Sequence, residues 1–191
     1  MKNKIKIQFG LLLGIVFLAA FTRIIPHFQN FSPLGAIGLF GAAHFDKKWK
    51  AFLIPIAATW LSDLFINNLI FSQNNTGFTW FYDGFYWQYG SYLCITLTGI
   101  FIFKKISFQK VAKGALSSSA IFFIISNFGV WIGSRLYPQN FDGLMSCYAA
   151  GIPFLTNTLA GDLFYSGILF GGYYLIQRRL PIFKIEGVEY A

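Results

Sequence analysis

The chain has 191 residues, of which 55% are hydrophobic, 20% aromatic and only 12% charged, with a net charge of +8. A soluble domain carries roughly a quarter charged residues, so this balance excludes an ordinary water-soluble domain. The positive charge does not point to nucleic acid either, because the basic residues stand between apolar runs and not along one polar face.

A hydrocarbon core about 30 Å thick takes about 20 apolar residues of helix. The first run, residues 7–25, follows Lys2, Lys4 and Lys6. It reads as a span and not as a signal peptide, since it continues past Ala20 and lacks a small-residue cleavage pattern. Residues 32–45 are charge-free and Gly-rich but short. They are expected to form a short or tilted span buried by its neighbours, with a re-entrant segment as the alternative. Runs at 51–71, 85–103, 111–134 and 153–176 complete the set. The expected fold class is all-α: an integral membrane bundle of six transmembrane helices in a single domain over residues 1–191.

Charge placement supports an even number of passes. With the N-terminus inside, the inner segments hold Lys2, Lys4, Lys6, Lys47, Lys48, Lys50, Lys104, Lys105, Lys110, Lys113, Arg178, Arg179 and Lys184, which leaves only Arg23 and Arg135 outside. That bias follows the positive-inside rule and places both termini in the cytoplasm of a multi-pass inner-membrane protein. The longer outer links are expected at 72–84 and 135–152. The aromatics Trp80 and Trp87 sit in or beside the first, and Cys147 and Tyr148 in the second. Interfacial belts explain some of these aromatics, yet they crowd on one side.

Ionisable groups inside spans carry the functional argument, because each needs a partner or a wet cavity. Asp63 and Asp162 are both expected about 12–13 Å below the outer face. Asn67, Asn68, Asn127, Trp131 and Asn157 lie at or above that depth, and Arg23 and His27 close the outer end of the first span. Two readings stand side by side. One is an outward-facing binding cavity; the other is structural pairing of the aspartates with Arg23 or Arg135.

Gly10-x-x-x-Gly14 and Gly167-x-x-x-Gly171 have the spacing of close helix contacts, either within the bundle or with a partner membrane protein. The segments around Asp63 and Asp162 echo one another over seven residues, too few to establish a repeat. Two sequons, at Asn30 and Asn74, are short enough to arise by chance. No HExxH, CxxC, nucleophile elbow or phosphate loop is present, so no cofactor is required by any motif and ATP is not used by this chain alone. Cys94 reads as a core residue. Cys147 is open to a disulfide with Cys94 or to a soft-metal role.

The stretches RIIPH (23–27), NFSPLGAIGLFGAAHF (30–45), WLSDLF (60–65), SNFGVWIGSRLYP (126–138), CYAAGIPF (147–154) and NTLAGDLFYSGILFG (157–171) resemble a family of small bacterial membrane proteins of unassigned function. That family in turn resembles the S-components of energy-coupling-factor vitamin transporters. The resemblance implies six helices, cytoplasmic termini and an outer cavity that binds a small, vitamin-like solute, cobalamin among the candidates, with Cys147 as a cobalt ligand. It also implies docking, through the face of Gly10 and Gly14, on a transmembrane coupling subunit served by ATPases. The partners expected are thus the lipid bilayer, a small solute and that subunit, without nucleic acid. The alternative is a membrane enzyme or assembly factor acting at the outer face.

The charge bias makes a direct prediction about topology. Reporter fusions at Lys47, Gln109 and Arg178 should report cytoplasm, and fusions at Asn75 and Gln139 the outside. An outside signal at Lys47 would remove the short second span.

Overall fold

The computed structural model describes residues 2–71, 77–185 and 189–190. Among them the chain forms six α-helices: α1 (Lys2–Phe21), α2 (Leu34–His44), α3 (Lys48–Phe65), α4 (Phe85–Ile102), α5 (Phe108–Gly133) and α6 (Phe141–Arg179). A 3-10 turn, Thr22–Ile24, prolongs α1, and a π-helical turn, Ile66–Ile70, prolongs α3. The only extended pairing among the described residues is a single bridge between Ile106 and Tyr190.

Local chemistry sets several boundaries. Ile25 turns to extended backbone directly before Pro26, where a helical conformation is disfavoured. Ser107 caps α5 by accepting from Lys110 N at 3.4 Å, and Asn140 caps α6 by accepting from Gly143 N at 2.9 Å. Gly84 opens α4 at φ +77°, a left-handed conformation that glycine adopts without penalty.

The helices alternate in direction, and the basic links share one end. There, Gln8 Nε2 donates to the carbonyls of Ile182 and Lys184, at 2.8 and 2.9 Å, tying the start of α1 to the segment after α6. Ile106 N donates to Glu189 O at 2.8 Å, and Lys105 pairs with Glu189 on the surface. The links holding Arg23 and Arg135 lie at the opposite end.

Helix α2 is the centre of the bundle and touches all five other helices. Residues 33–41 are buried without exception, as are His44 and Phe45. Such burial on every side requires an apolar helix without a polar stripe, and LGAIGLFGAAH supplies it. Glycines let the neighbours come close: a Cβ on Gly99 of α4 would stand 2.7 Å from Ala42 Cβ, and one on Gly41 would stand 2.8 Å from Pro55 Cγ of α3.

Among the described residues, four segments are long and apolar enough to cross a membrane: Lys4–Ile24, Lys48–Ile70, Phe108–Gly133 and Phe141–Arg179. Helix α4 has 18 residues, but its first turns carry Tyr86, Trp87, Gln88, Tyr89 and Ser91. Helix α2, with 11 residues, is apolar but short.

The sixth helix departs from the sequence expectation. Residues 135–152 were expected to form a loop, yet helix begins at Phe141 and continues for 39 residues, a length of about 58 Å. The segment looked loop-like because it is rich in small and polar residues. Those residues instead form a narrow contact stripe, with Gly143, Cys147 and Gly151 buried at four-residue spacing.

The glycine environments give a stability prediction. A Cβ at Gly161 would lie 2.9 Å from Ser32 N and 3.2 Å from Phe31 Cα, both backbone, whereas Gly171 has nothing within 4 Å. Gly161→Ala should destabilise by about 1–3 kcal/mol through overpacking. Gly171→Ala should be neutral or stabilise by up to about 1 kcal/mol through helix propensity. Thermal unfolding of the two purified variants in one detergent checks the difference.

Candidate functional site

The two intramembrane aspartates have different surroundings. Asp63, in the last turn of α3, is 5% exposed. Arg23 Nη1 donates to Asp63 Oδ1 at 2.6 Å and to Ser62 Oγ at 2.8 Å, while Tyr89 OH donates to Asp63 Oδ2 at 2.7 Å. Arg23 stands at the end of α1 and Tyr89 one turn into α4, so this cluster clamps three helices. Tyr82, in the link before α4, lies close by. Burial first, and the Asp63 charge second, push its hydroxyl above the ordinary tyrosine range, which keeps it protonated.

Asp162 lies halfway along α6 and is 3% exposed. Thr158, Asp162 and Ser166 follow one another at four-residue spacing on the buried face of that helix. Ser119 Oγ, from the middle of α5, donates to Asp162 Oδ2 at 2.8 Å. Ser118 is buried beside the same carboxylate. No ion pair to Asp162 occurs among the described residues. A Cβ on Gly35, in the first turn of α2, would collide with the Asp162 carboxylate and with Ser118, so glycine is needed for that turn to sit against them. Asp63 is joined to the first turns of α4 through Tyr89, and Asp162 to the middle of α5 through Ser119.

Above Asp162 is a cavity of about 120 Å³, lined by Arg23, His27, Asn30, Ser32, Gln88, Tyr92, Ser118, Thr158 and Asp162 among others. A second cavity of about 490 Å³ lies between the α5–α6 hairpin and the link after α1. Its lining includes Gln29, Phe122, Phe123, Asn127, Tyr137, Cys147, Ala150, Phe154 and Leu155. The two share Asn30, Gln88, Phe122 and Thr158.

The remaining sequence candidates are distributed around these spaces. His27 is exposed at the rim, its Nδ1 2.6 Å from Ile25 O. Asn127 and Cys147 line the larger cavity, where Cys147 Sγ donates to Asn127 O at 3.4 Å. Asn157 Nδ2 donates to Gln29 O at 3.0 Å and holds the link after α1 against α6. Asn67 and Asn68 lie in the π-helical turn. Asn68 Nδ2 donates to Thr79 O and Asn68 Oδ1 accepts from Thr79 N, which staples the following link. Tyr148 OH donates to Ile124 O, joining α6 to α5. Trp80 stacks on Trp60 at 6.4 Å, Trp87 packs over Gly129, and Trp131 Nε1 donates to Pro138 O. None of these three tryptophans lines either cavity. Arg135 is exposed and pairs with neither aspartate. Gly10 and Gly14 are exposed with nothing within 4 Å, as are Gly167 and Gly171, so neither pair packs within the bundle. Cys94 and Cys147 are both free; the first faces outward and the second is buried, which rules out the disulfide weighed from sequence. The sequon at Asn74 lies outside the described residues.

Sequence reasoning missed Ser118, Ser119, Gln88, Tyr89 and Tyr92. A run of three serines in an apolar span, and Tyr89 and Tyr92 one turn apart, were visible signals. They were passed over because uncharged polar residues within a span are cheap compared with a carboxylate.

This is an all-helical protein, with four helices fit by length and composition to cross a membrane and a polar cavity at the end away from the lysines. Residues 3–183 match a family of unknown function, DUF6580, and the chain belongs to that family. No curated protein and no solved structure matches it.

The Arg23–Asp63 pair makes a measurable contribution. Asp63→Asn should destabilise by about 2–4 kcal/mol, because it leaves a largely buried guanidinium without its counter-charge. Tyr89→Phe should cost about 1.5–3 kcal/mol, the scale of a hydrogen bond to a charged group. Arg23→Met combined with Asp63→Leu should recover most of the first loss, and unequal recovery measured by thermal unfolding would assign the charge of Asp63 to other partners.

Proposed function

We propose that this protein is a six-span inner-membrane solute-binding protein. Both termini lie on the cytoplasmic, lysine-rich side, and the paired cavities receive a small organic molecule from the opposite side. The observation that carries this reading is the pair of cavities with shared walls, the smaller lined by a buried carboxylate that has no ion-pair partner among the described residues. A bundle held only by structural pairing would place that carboxylate against a cation, as it does Asp63 against Arg23.

Size narrows the solute. Pockets for small ligands run from about 300 to 1,000 Å³, and the larger cavity, about 490 Å³, lies at the lower end. A compact vitamin-like molecule suits this space; a corrin such as cobalamin is bulkier than either cavity. Cys147 as a cobalt ligand would also have to give up its contact with Asn127. The bare glycine faces of α1 and α6 support docking on a transmembrane coupling subunit, since small residues that meet nothing in their own bundle leave helix backbone open to another.

The test is ligand recovery. Protein purified from its native membrane in mild detergent should release a small organic solute on denaturation, identified by mass spectrometry. Ala150→Trp, which fills the larger cavity, should remain folded and release at least tenfold less. A hundredfold excess of that solute over its Kd should stabilise the wild type by about 2.7 kcal/mol. An empty wild-type protein that no metabolite stabilises would overturn the reading and favour an enzyme or assembly factor at that face.

A further inference from the structure

We propose that the cavity over Asp162 receives a protonated amine at one end of the solute, with Asp162 as its counter-ion. This deepens the solute-binding reading and rests on it.

Charge accounting comes first. The ionisable side chains lining this cavity are Arg23, His27, Tyr92 and Asp162, and a tyrosine is neutral near pH 7. Arg23 directs its hydrogen bonds to Asp63 and Ser62, and that pair is neutral as a unit. His27 stands exposed at the rim, with Nδ1 against a backbone carbonyl. No lysine lines the space. The cavity therefore holds one carboxylate in excess, 3% exposed, and a cation is one of the partners that would stabilise a buried charge of that kind.

Hydrogen-bond accounting gives the type of cation. Ser119 satisfies one face of Asp162 Oδ2, and Oδ1 lies on the side of Ser118, whose hydroxyl is 1% exposed and stands beside the same carboxylate. An ammonium group brings three N–H donors, and a carboxylate oxygen together with the adjacent serine oxygen accepts two of them. A metal ion is the poorer match, because the described residues contain no cluster of three His, Cys, Asp or Glu side chains. The volume agrees with an amine at the end of a short chain: about 120 Å³ holds roughly four water-sized groups. The uncharged remainder of the solute would extend through the shared wall into the larger cavity, against Phe122 and Phe154.

The experiment uses purified full-length protein in detergent and four probes: propylammonium chloride, tetramethylammonium chloride, 1-propanol and sodium chloride, at matched ionic strength. Propylammonium should raise the melting temperature saturably. Tetramethylammonium, which has no N–H donor, and the two remaining probes should not. Asp162→Asn should keep its helical content and lose the response, with apparent affinity for propylammonium at least tenfold weaker. Ser118→Ala and Ser119→Ala keep the carboxylate and should weaken affinity by smaller factors, which preserves the test if Asp162→Asn fails to fold. An equal response to sodium or to 1-propanol, or a response undiminished in all three variants, overturns the inference. So does a co-purifying solute without an amine, or one that Asp162→Asn holds as tightly as the wild type; either result leaves solute binding itself standing. A wild type that binds no solute and ignores propylammonium overturns both.

Discussion

An apolar helix of eleven residues is about 16 Å long, roughly half of the hydrocarbon thickness. Placed at the centre of a bundle, it fixes what every neighbour must do. Its whole circumference is covered, so the other five helices must approach it closely. They do so by glycine: Gly99 lies against Ala42, Gly114 against Leu39, and Gly38 of α2 itself against Thr96. Van der Waals contact of this kind is the main attraction available between apolar helices in lipid, where burial away from water adds little. The shortness of α2 also leaves a gap above its N-terminus. The link after α1 descends into that gap far enough for Ser32 N to meet Gly161 of α6, and the cavity over Asp162 is the space that remains. The site is thus a consequence of packing long helices around a short one.

The contrast between the aspartates follows from this geometry. Asp63 stands beside the end of α1, where Arg23 has just left the apolar run and can turn back to meet it. Asp162 faces the floor formed by Gly35, in a cavity that Arg23 also lines, but the guanidinium gives its hydrogen bonds to Asp63 and Ser62. Similar heptapeptides around the two residues therefore lead to different chemistry. One carboxylate is spent on joining α1, α3 and α4, and the other has only hydroxyl neighbours. Of the two readings weighed from sequence, structural pairing describes Asp63, and the open cavity is left to Asp162.

Much of the architecture was legible because lipid imposes simple rules. Apolar run lengths located α1 to α5, and the lysines at alternate links indicated an even number of crossings; the end shared by Gln8, Ile182 and Lys184 agrees with that alternation. The burial of α2 was also legible, since a charge-free, Gly-rich segment that is too short to span is stable only among other helices. The start of α6 was not. Small residues at four-residue spacing are the mark of a contact face, but hydropathy alone cannot separate them from a loop. The contacts of the outer tryptophans were not legible either. Trp80 and Trp87 turn onto Trp60 and Gly129, contacts that depend on rotamers and neighbours rather than on spacing.

The lysine-rich end constrains how a solute could move. Below the cavity, Phe40, His44, Phe170 and Tyr173 pack ring against ring with centroids 4.2 to 5.6 Å apart. Tyr190 closes them from beneath through a 2.7 Å hydrogen bond to His44 Nε2. All four packed side chains are buried, and no cavity links them to the space over Asp162. A molecule held by Asp162 therefore has no route to the lysine-rich side unless α2 separates from α6. That separation would part the rings of Phe40 and His44 from those of Phe170 and Tyr173, and no other contact described within the chain compensates for their loss. Compensation would have to come from outside, from a surface able to meet helix backbone closely. The unoccupied glycines of α1 and α6 are such a surface, and Gly167 and Gly171 lie on the helix that would have to move. On the solute-binding reading, capture is within the reach of this chain alone, whereas release to the other side requires a partner.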